Sequence, residues 1–269
     1  MNRPLTPAEV TAYLARIGYT GPRTPTLAVL DDLQYCHLHT VPYENLDVLR
    51  SIPVLLDTDS LFDKIVTHRR GGFCFETNNL FTLLLQAMGF TVTNHFARFL
   101  GGRPDDVVPK RRHMVMRVFL PEGLYLADVG VGVKQFRWPL RLIEGIEQPR
   151  GGENWRVRWD GFLGWVVENC HHREGWQNFF SFTTEQASAP EDYSATSWFC
   201  EHAPDSIFNK QEMLALRTAD GRVTMEGPAV KEFTPDSVTI HTPADRAEYH
   251  ALLNRFFGIV LSEQNTLPR

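Results

Sequence analysis

The spacing of apolar residues changes once along this chain, near Gly89. Before it, apolar positions recur at helical intervals. Thr6-Pro7-Ala8-Glu9 reads as a capping box with proline at the first helical position. Val10, Tyr13, Leu14 and Ile17 follow on one face, and Gly18 ends the run. Thr24-Pro25 opens a second helix with Leu27, Leu30 and Leu33 on one stripe, lasting to Val41-Pro42. A third spans Asp57 to Thr67, with Leu61, Ile65 and Val66 apolar. A fourth begins near Cys74 and runs through Leu80, Phe81, Leu84, Leu85 and Met88 to Gly89.

After Gly89 the segments are short and rich in aromatic and β-branched residues. Phe90 to Leu100, Met114 to Leu120, Leu124 to Val129, Trp155 to Trp159, Leu163 to Val167 and Phe179 to Thr183 read as strands. Asp160-Gly161 between two of them is a hairpin signal. Strands at this spacing predict an antiparallel sheet that curls or closes. Glu185 to Glu201 reads as a connecting or helical segment. Leu214 to Arg217 and Val223 to Glu226 flank a second hairpin signal, Asp220-Gly221. Val238 to His241 follows as a strand, and Thr242-Pro243 opens a last helix ending at Gly258. The chain is therefore expected to be α+β: helices, then strands, then a small α/β unit. No repeat and no low-complexity segment interrupts it.

Composition narrows the function classes. The chain has 269 residues, 43% hydrophobic and 22% charged, with a formal net charge of −5. That profile is globular, and it lacks the basic excess of a nucleic-acid protein. Lys110-Arg111-Arg112 reads as a solvated loop. No stretch approaches the roughly 20 apolar residues of a membrane span. The first residues carry Arg3, Glu9 and Arg16 and lack the apolar core of an export signal. Cys36, Cys74, Cys170 and Cys200 are scattered, which fits free thiols in a reducing cytoplasm. Cys36-His37-Leu38-His39 and Cys170-His171-His172 offer soft ligands, but no CxxC pair or HExxH accompanies them, so no metal is expected.

The densest chemical signal is Arg70-Gly71-Gly72-Phe73-Cys74-Phe75-Glu76. It sets a thiol behind a Gly-Gly turn at a helix start, where backbone N–H groups and the helix dipole favour thiolate. A nucleophilic cysteine needs a base and a group to orient that base. His113 enters the apolar strand His113-Met114-Val115-Met116, and Asp128 ends Leu124-Tyr125-Leu126-Ala127-Asp128 just before Val129-Gly130-Val131-Gly132. Neighbouring strands would set imidazole and carboxylate side by side, with Asp128 fixing the tautomer of His113. Residue type alone leaves other readings open. Cys74 could be a small buried hydrophobe, His113 a satisfied polar residue, and Asp128 a turn brace.

These residues together resemble the arylamine N-acetyltransferases. The resemblance rests on the Arg-Gly-Gly-Phe-Cys segment, on Val41-Pro42-Tyr43-Glu44-Asn45-Leu46, on Asp128-Val129-Gly130-Val131-Gly132, and on the tail Phe256-Phe257-Gly258-Ile259. It implies a helical bundle over 1–89 carrying the nucleophile, an antiparallel β-barrel over 90–205 carrying His113 and Asp128, and an α/β lid over 206–269. It also implies a ping-pong transfer of acetyl from acetyl-CoA to an arylamine or hydrazine through acetyl-Cys74. Glu44 and Arg70 would meet as a charge pair bracing the loop before Cys74, the guanidinium gripping the carboxylate in two places. Phe73, Tyr43 and Val131 would lie nearest the acceptor. Many members carry phenylalanine where Tyr43 and Val131 stand, so the acceptor pocket departs from the common pattern.

CoA recognition is sparsely encoded. No Walker loop follows Gly71-Gly72. Gly101-Gly102-Arg103 ends a strand and could approach a pantetheine or phosphate. Ser206 and Phe208, in the segment where the family's lid nears the cleft, are the other cofactor candidates. Three readings compete with the acetyltransferase. One is an amide synthase of the same fold acting on a polyketide-type substrate, one a thiol hydrolase, and one a binding module that has kept the fold. The hydrolase lacks its local cysteine signatures here, and the binding module would have no need of all three triad residues.

Overall fold

The computed structural model describes residues 3–101, 108–171 and 175–261. Helix α1 (Pro7–Arg16) begins with the capping box read from the sequence, Glu9 N–H donating to Thr6 Oγ1 at 3.3 Å and Thr6 N–H to Glu9 Oε2 at 2.7 Å. Helix α2 (Leu27–Leu38) starts two residues beyond the Thr24-Pro25 signal, because the Thr26 hydroxyl accepts the Val29 N–H and fixes the start there. A four-residue helix, α3 (Leu46–Leu49), follows the Val-Pro-Tyr-Glu-Asn segment. The expected third helix divides into α4 (Thr58–Phe62) and one π-helical turn, Asp63–Thr67. Helix α5 (Cys74–Ala87) is buried along nearly its whole length. The bundle core includes Tyr13, Leu30, Leu33, Leu61, Ile65, Phe81 and Leu84.

The barrel strands are β1 (Thr91–Phe99), β2 (His113–Leu120), β3 (Gly123–Ala127), β4 (Leu140–Arg141), β5 (Gln148–Arg150), β6 (Glu153–Asp160), β7 (Gly164–His171) and β8 (Gly175–Phe182). They form one antiparallel sheet in the order β4-β3-β2-β1-β8-β7-β6-β5. Its two edges meet through a side chain. The Gln148 amide accepts the Arg141 N–H at 2.8 Å and donates to the Arg141 carbonyl at 3.1 Å, so the sheet nearly closes. Strand β2 is covered on both faces. Val115 points into the barrel core with Phe136, Trp155 and Phe180, while Met116 and Val118 face the bundle. A strand buried on both faces reads as a continuous apolar run rather than an alternating one, as the His-Met-Val-Met segment does.

Helix α6 (Tyr193–His202) occupies the connecting segment. The last sheet has the order β12-β11-β10-β9, from β9 (Met213–Arg217), β10 (Arg222–Glu226), β11 (Ala229–Phe233) and β12 (Val238–His241). Helix α7 (Arg246–Phe257) packs Leu252, Leu253 and Phe257 against it. This helix begins later than Thr242-Pro243 suggests, because Asp245 is the residue whose carboxylate caps it, accepting from Glu248 N–H at 2.9 Å. Tyr43 ties this sheet to the loop before Cys74. It exchanges two backbone bonds of 2.9 Å with Ala215, and the flanking Pro42 and Glu44 bond to Gly72 on its other side. No helix among the described residues is long and apolar enough to cross a membrane.

Candidate active site

Two glycines set the entry to the thiol. A Cβ on Gly71 would lie 1.8 Å from the Pro42 carbonyl oxygen, and one on Gly72 would lie 2.7 Å from Glu76 Oε2. Only residues without side chains let this loop run against the Pro42–Glu44 segment while Glu76 folds back over it. Glu76 then accepts the Phe73 N–H at 3.1 Å, the return half of a capping box at the start of α5. Lys64, from the π-helical turn, grips Glu76 at 2.6 Å and Asp47 at 2.8 Å. Arg70 holds Glu44 through Nε at 2.8 Å and Nη2 at 3.0 Å, and Asp47 at 2.8 Å. The structure thus brings Glu44 and Arg70 together, inside a larger buried network that the motif alone did not reveal.

Cys74 is 1% exposed, and its Sγ lies 3.6 Å from the carbonyl oxygen of Arg112, the residue before His113. Gly130 lies against it, since a Cβ there would come within 2.8 Å of Cys74 Cα. Burial pushes the Cys74 thiol well above its ordinary range, and Cys200 and Asp128 add to the rise. The Phe75 N–H works the other way and is outweighed. This corrects the expectation that the helix start by itself favours thiolate: desolvation of the charged form dominates at a site closed to water.

His113 is wholly buried, and its Nε2 lies 2.7 Å from Asp128 Oδ2. Nε2 therefore carries the hydrogen donated to the carboxylate. Nδ1 is buried without a hydrogen-bond partner among the described residues. Asp128 is itself fixed: its Oδ1 accepts from Asn78 Nδ2 at 2.9 Å and from the Gly130 N–H at 2.8 Å. Asn78 stands four residues after Cys74 on α5, so one helix carries the thiol and a group that sets the carboxylate. Gln34 Oε1 accepts the Asp128 N–H at 3.2 Å, and Gln135 Nε2 donates to the Asp128 carbonyl. Gln135 Oε1 also accepts the Val131 N–H at 2.6 Å. Of these supports, only Asn78 had a readable signal, its helical spacing from Cys74.

A cleft of about 850 Å³ lies near the imidazole, though Cys74, His113 and Asp128 do not line it. Phe99 lines it and stacks on His113 with ring centroids 4.7 Å apart. Val131 and Gly101 line it as well, along with Trp155, Phe179 and Arg217. The other candidates sit elsewhere. Phe73 is buried against Phe208, centroids 5.5 Å apart, and both belong to the apolar cluster around Cys74. Tyr43 adjoins that cluster. Ser206 is wholly buried, its hydroxyl donating to the Cys200 carbonyl and accepting the Phe208 N–H, so it braces a turn rather than lining the cleft. Gly102 lies outside the described residues, as does His172 of the second Cys-His segment. All four cysteines are free. Among the described residues no group of three or more His, Cys, Asp or Glu could hold a metal ion.

A thiol and an oriented imidazole beside a deep cleft can support transfer of an acyl group through a covalent intermediate. Residues 26–266 match the family model described as N-acetyltransferase. The arylamine N-acetyltransferase of Mycobacterium tuberculosis is 36% identical over 261 residues, covering 95% of this chain and 90% of that protein. The chain belongs to the arylamine N-acetyltransferase family. Solved structures agree: the enzyme of Salmonella typhimurium superposes with a TM-score of 0.89 at 27% identity over 97% of both chains. The Mycobacterium marinum enzyme in complex with CoA gives 0.84 at 34% identity, over 93% of this chain and 92% of that one.

Proposed function

We propose that this protein moves an acetyl group from acetyl-CoA to the nitrogen of an arylamine or arylhydrazine by a ping-pong mechanism through acetyl-Cys74. The observation that carries the reading is the state of His113. One ring nitrogen is bound to Asp128 at 2.7 Å, and the other is buried and unpartnered in the same site as the thiol. Nδ1 takes the Cys74 proton, and the thiolate attacks the thioester carbonyl. The tetrahedral adduct collapses with loss of the CoA thiolate, which takes the proton back from Nε2-anchored imidazolium. The amine then attacks the acetyl-enzyme, His113 accepts its proton, and Cys74 leaves as thiolate. Asp128 holds the tautomer and stabilises the imidazolium. The Cys74 N–H, in the first helical turn, is suited to meet the oxyanion.

Because burial raises the thiol, proton transfer to His113 is the step that makes the nucleophile, and the helix start assists it. Glu44 and Arg70 hold the loop and touch no reacting atom. The free thiols and the lack of a spanning helix among the described residues support a cytoplasmic enzyme. Incubating the reduced protein with acetyl-CoA alone is expected to add one acetyl group, mapped to Cys74 by peptide mass spectrometry, and Cys74→Ala is expected to add none. A folded protein that takes up no acetyl group, or an alanine variant that still turns over, would overturn the mechanism.

A further inference from the structure

Where Gln148 closes the barrel seam, a cavity of about 210 Å³ lies beside the closure. Leu27 and Asp31 of α2 face it from the bundle, and Tyr125, Phe136, Leu140 and Trp155 from the barrel. Cys74, His113 and Asp128 do not line it. Trp155 and Glu153 form the wall it shares with the larger cleft. Its aromatic walls are held in place. Phe136 and Trp155 meet edge to face with centroids 5.6 Å apart. Trp138, also in the lining, stacks on Tyr35 at 5.7 Å and lies under the Arg150 guanidinium at 4.4 Å. An apolar cavity of roughly 150 Å³ is enough for a benzene ring, so this one has room for a small fused ring.

One polar atom at this cavity lacks a partner. Asp31 Oδ2 pairs with Arg150 Nη1 at 2.5 Å, but Asp31 Oδ1 is buried with no hydrogen-bond partner among the described residues. Burial pushes the Asp31 carboxyl up, outweighing the pull of Arg150. A buried carboxylate oxygen without a donor is costly, and a ligand N–H or O–H would satisfy it. Charge selects a neutral donor. Arg150 already pairs with Asp31, and Arg137 with Glu153 at 3.0 Å, so a cationic ligand would meet two guanidinium groups whose carboxylates are taken. We propose that the seam cavity binds a neutral, flat aromatic molecule carrying one hydrogen-bond donor, its ring among Phe136, Leu140 and Trp155 and its donor on Asp31. The site stands apart from the transfer chemistry and is the same whether or not Cys74 carries an acyl group.

Indole and benzofuran test this, because they share a shape and differ in the one donor. Calorimetric titration of the whole protein is expected to give indole a Kd of about 0.1–1 mM. Benzofuran is expected to bind about 10-fold more weakly or worse, the range of a lost hydrogen bond to a charged group. Asp31→Ala is expected to bring indole to the benzofuran level while changing benzofuran by less than about 3-fold. Leu27→Trp, which puts a ring into the space from a half-buried position, is expected to abolish both. Protein alkylated at Cys74 is expected to bind indole as before. Equal affinities for the two molecules, or no binding of indole, would overturn the proposal. Loss of indole binding on alkylation would overturn it by placing the ligand in the catalytic site. Unchanged binding in Leu27→Trp would overturn it by placing the ligand outside the seam. Should Asp31→Ala fail to fold, the ratio of indole to benzofuran affinity in the wild type and the Leu27→Trp result decide between these outcomes.

Discussion

The charges beneath the nucleophile and the charges along the cleft are built on opposite plans. Under Cys74, three carboxylates (Glu44, Asp47, Glu76) meet two cations (Lys64, Arg70) at 2.6–3.0 Å, all buried but Lys64, which is half-buried. Arg50, also buried, adds a third positive charge that acts on Asp47 and Glu44 without bonding to either. Along the cleft, Lys134 and Arg222 are exposed, and Arg217 has an N–H to spare. Charges closed among themselves fix geometry. Charges left open are available to a ligand. The first group holds the loop that carries the thiol, and the second lines the cleft.

Breaking the closed group has the largest expected effect. Arg70→Ala strands the buried Glu44 carboxylate and leaves Asp47 to Lys64 alone, and it is expected to cost about 3–5 kcal/mol. Lys64→Met, which strands Glu76 and leaves Asp47 to Arg70 alone, falls in the same range. Urea unfolding of either variant that shows under 1 kcal/mol would mean the network is more open than its geometry indicates.

Acid acts on the bundle through a neutral group. His37 lies in the bundle, Nδ1 3.0 Å from the Tyr13 hydroxyl, and burial pushes it down to about 3. The sign follows from linkage: below about pH 6.5 the unfolded chain takes a proton that the folded His37 refuses, so stability falls as pH falls from there toward 3. The slope from this group is about 1.4 kcal/mol per pH unit. His95, lowered to about 4, adds to the loss over the upper part of that window. Stability curves from pH 7 to 4 should therefore be steeper for the wild type than for His37→Gln by nearly one proton, and parallel curves would remove His37 from the account.

Most of the fold was legible because its periods are local, and what was missed is long-range. The helices around Tyr13, Leu30 and Leu84 and the strands around Val115 and Phe180 follow from spacing. Strands β4 and β5 carry two and three residues, too few to show a period, and the seam they form depends on the Gln148 side chain. Strand β11 has a single fully buried apolar residue, Val230, so no alternation announces it. At the site, Cys74, His113 and Asp128 were readable as types in a plausible order. Gln34 and Gln135 were not, because an amide that meets Asp128 from 94 residues away, or through its own backbone turn, leaves no mark in spacing. The cations of the cleft were silent for the same reason: Lys134, Arg217 and Arg222 look like ordinary surface charges until β9 and β10 bring them beside the barrel.

The glycine loop offers a smaller break. Gly71→Ala places a methyl group into the Pro42 carbonyl, a backbone atom that cannot rotate aside. The Pro42–Glu44 segment must shift, at about 1–3 kcal/mol, and the shift moves the loop ahead of Cys74. Activity should fall further than stability alone explains, measured as kcat/KM at a temperature where the variant is fully folded. Unchanged kcat/KM would show that the loop adapts without moving the thiol.

The nucleophile itself gives a kinetic contrast. Because burial raises the Cys74 thiol, alkylation by iodoacetamide in His113→Ala should climb about tenfold per pH unit through the neutral range, as expected for a thiol far below its pKa. On the proposed mechanism the wild-type imidazole takes the proton inside the site, so the rate at pH 7 should be higher and its pH dependence shallower. Identical profiles would separate His113 from the thiol.

The smallest effect is expected from the same residue type on the open side. Lys134 is exposed and has no ion pair or hydrogen bond among the described residues, so Lys134→Met removes no partner and strands no carboxylate. Its cost should stay within about 0.5 kcal/mol, against the several expected for Lys64→Met. The two lysines have the same charge and the same side chain. A loss at Lys134 approaching that at Lys64 would mean that the cleft cations are also structural, and that the division between closed and open charges does not hold.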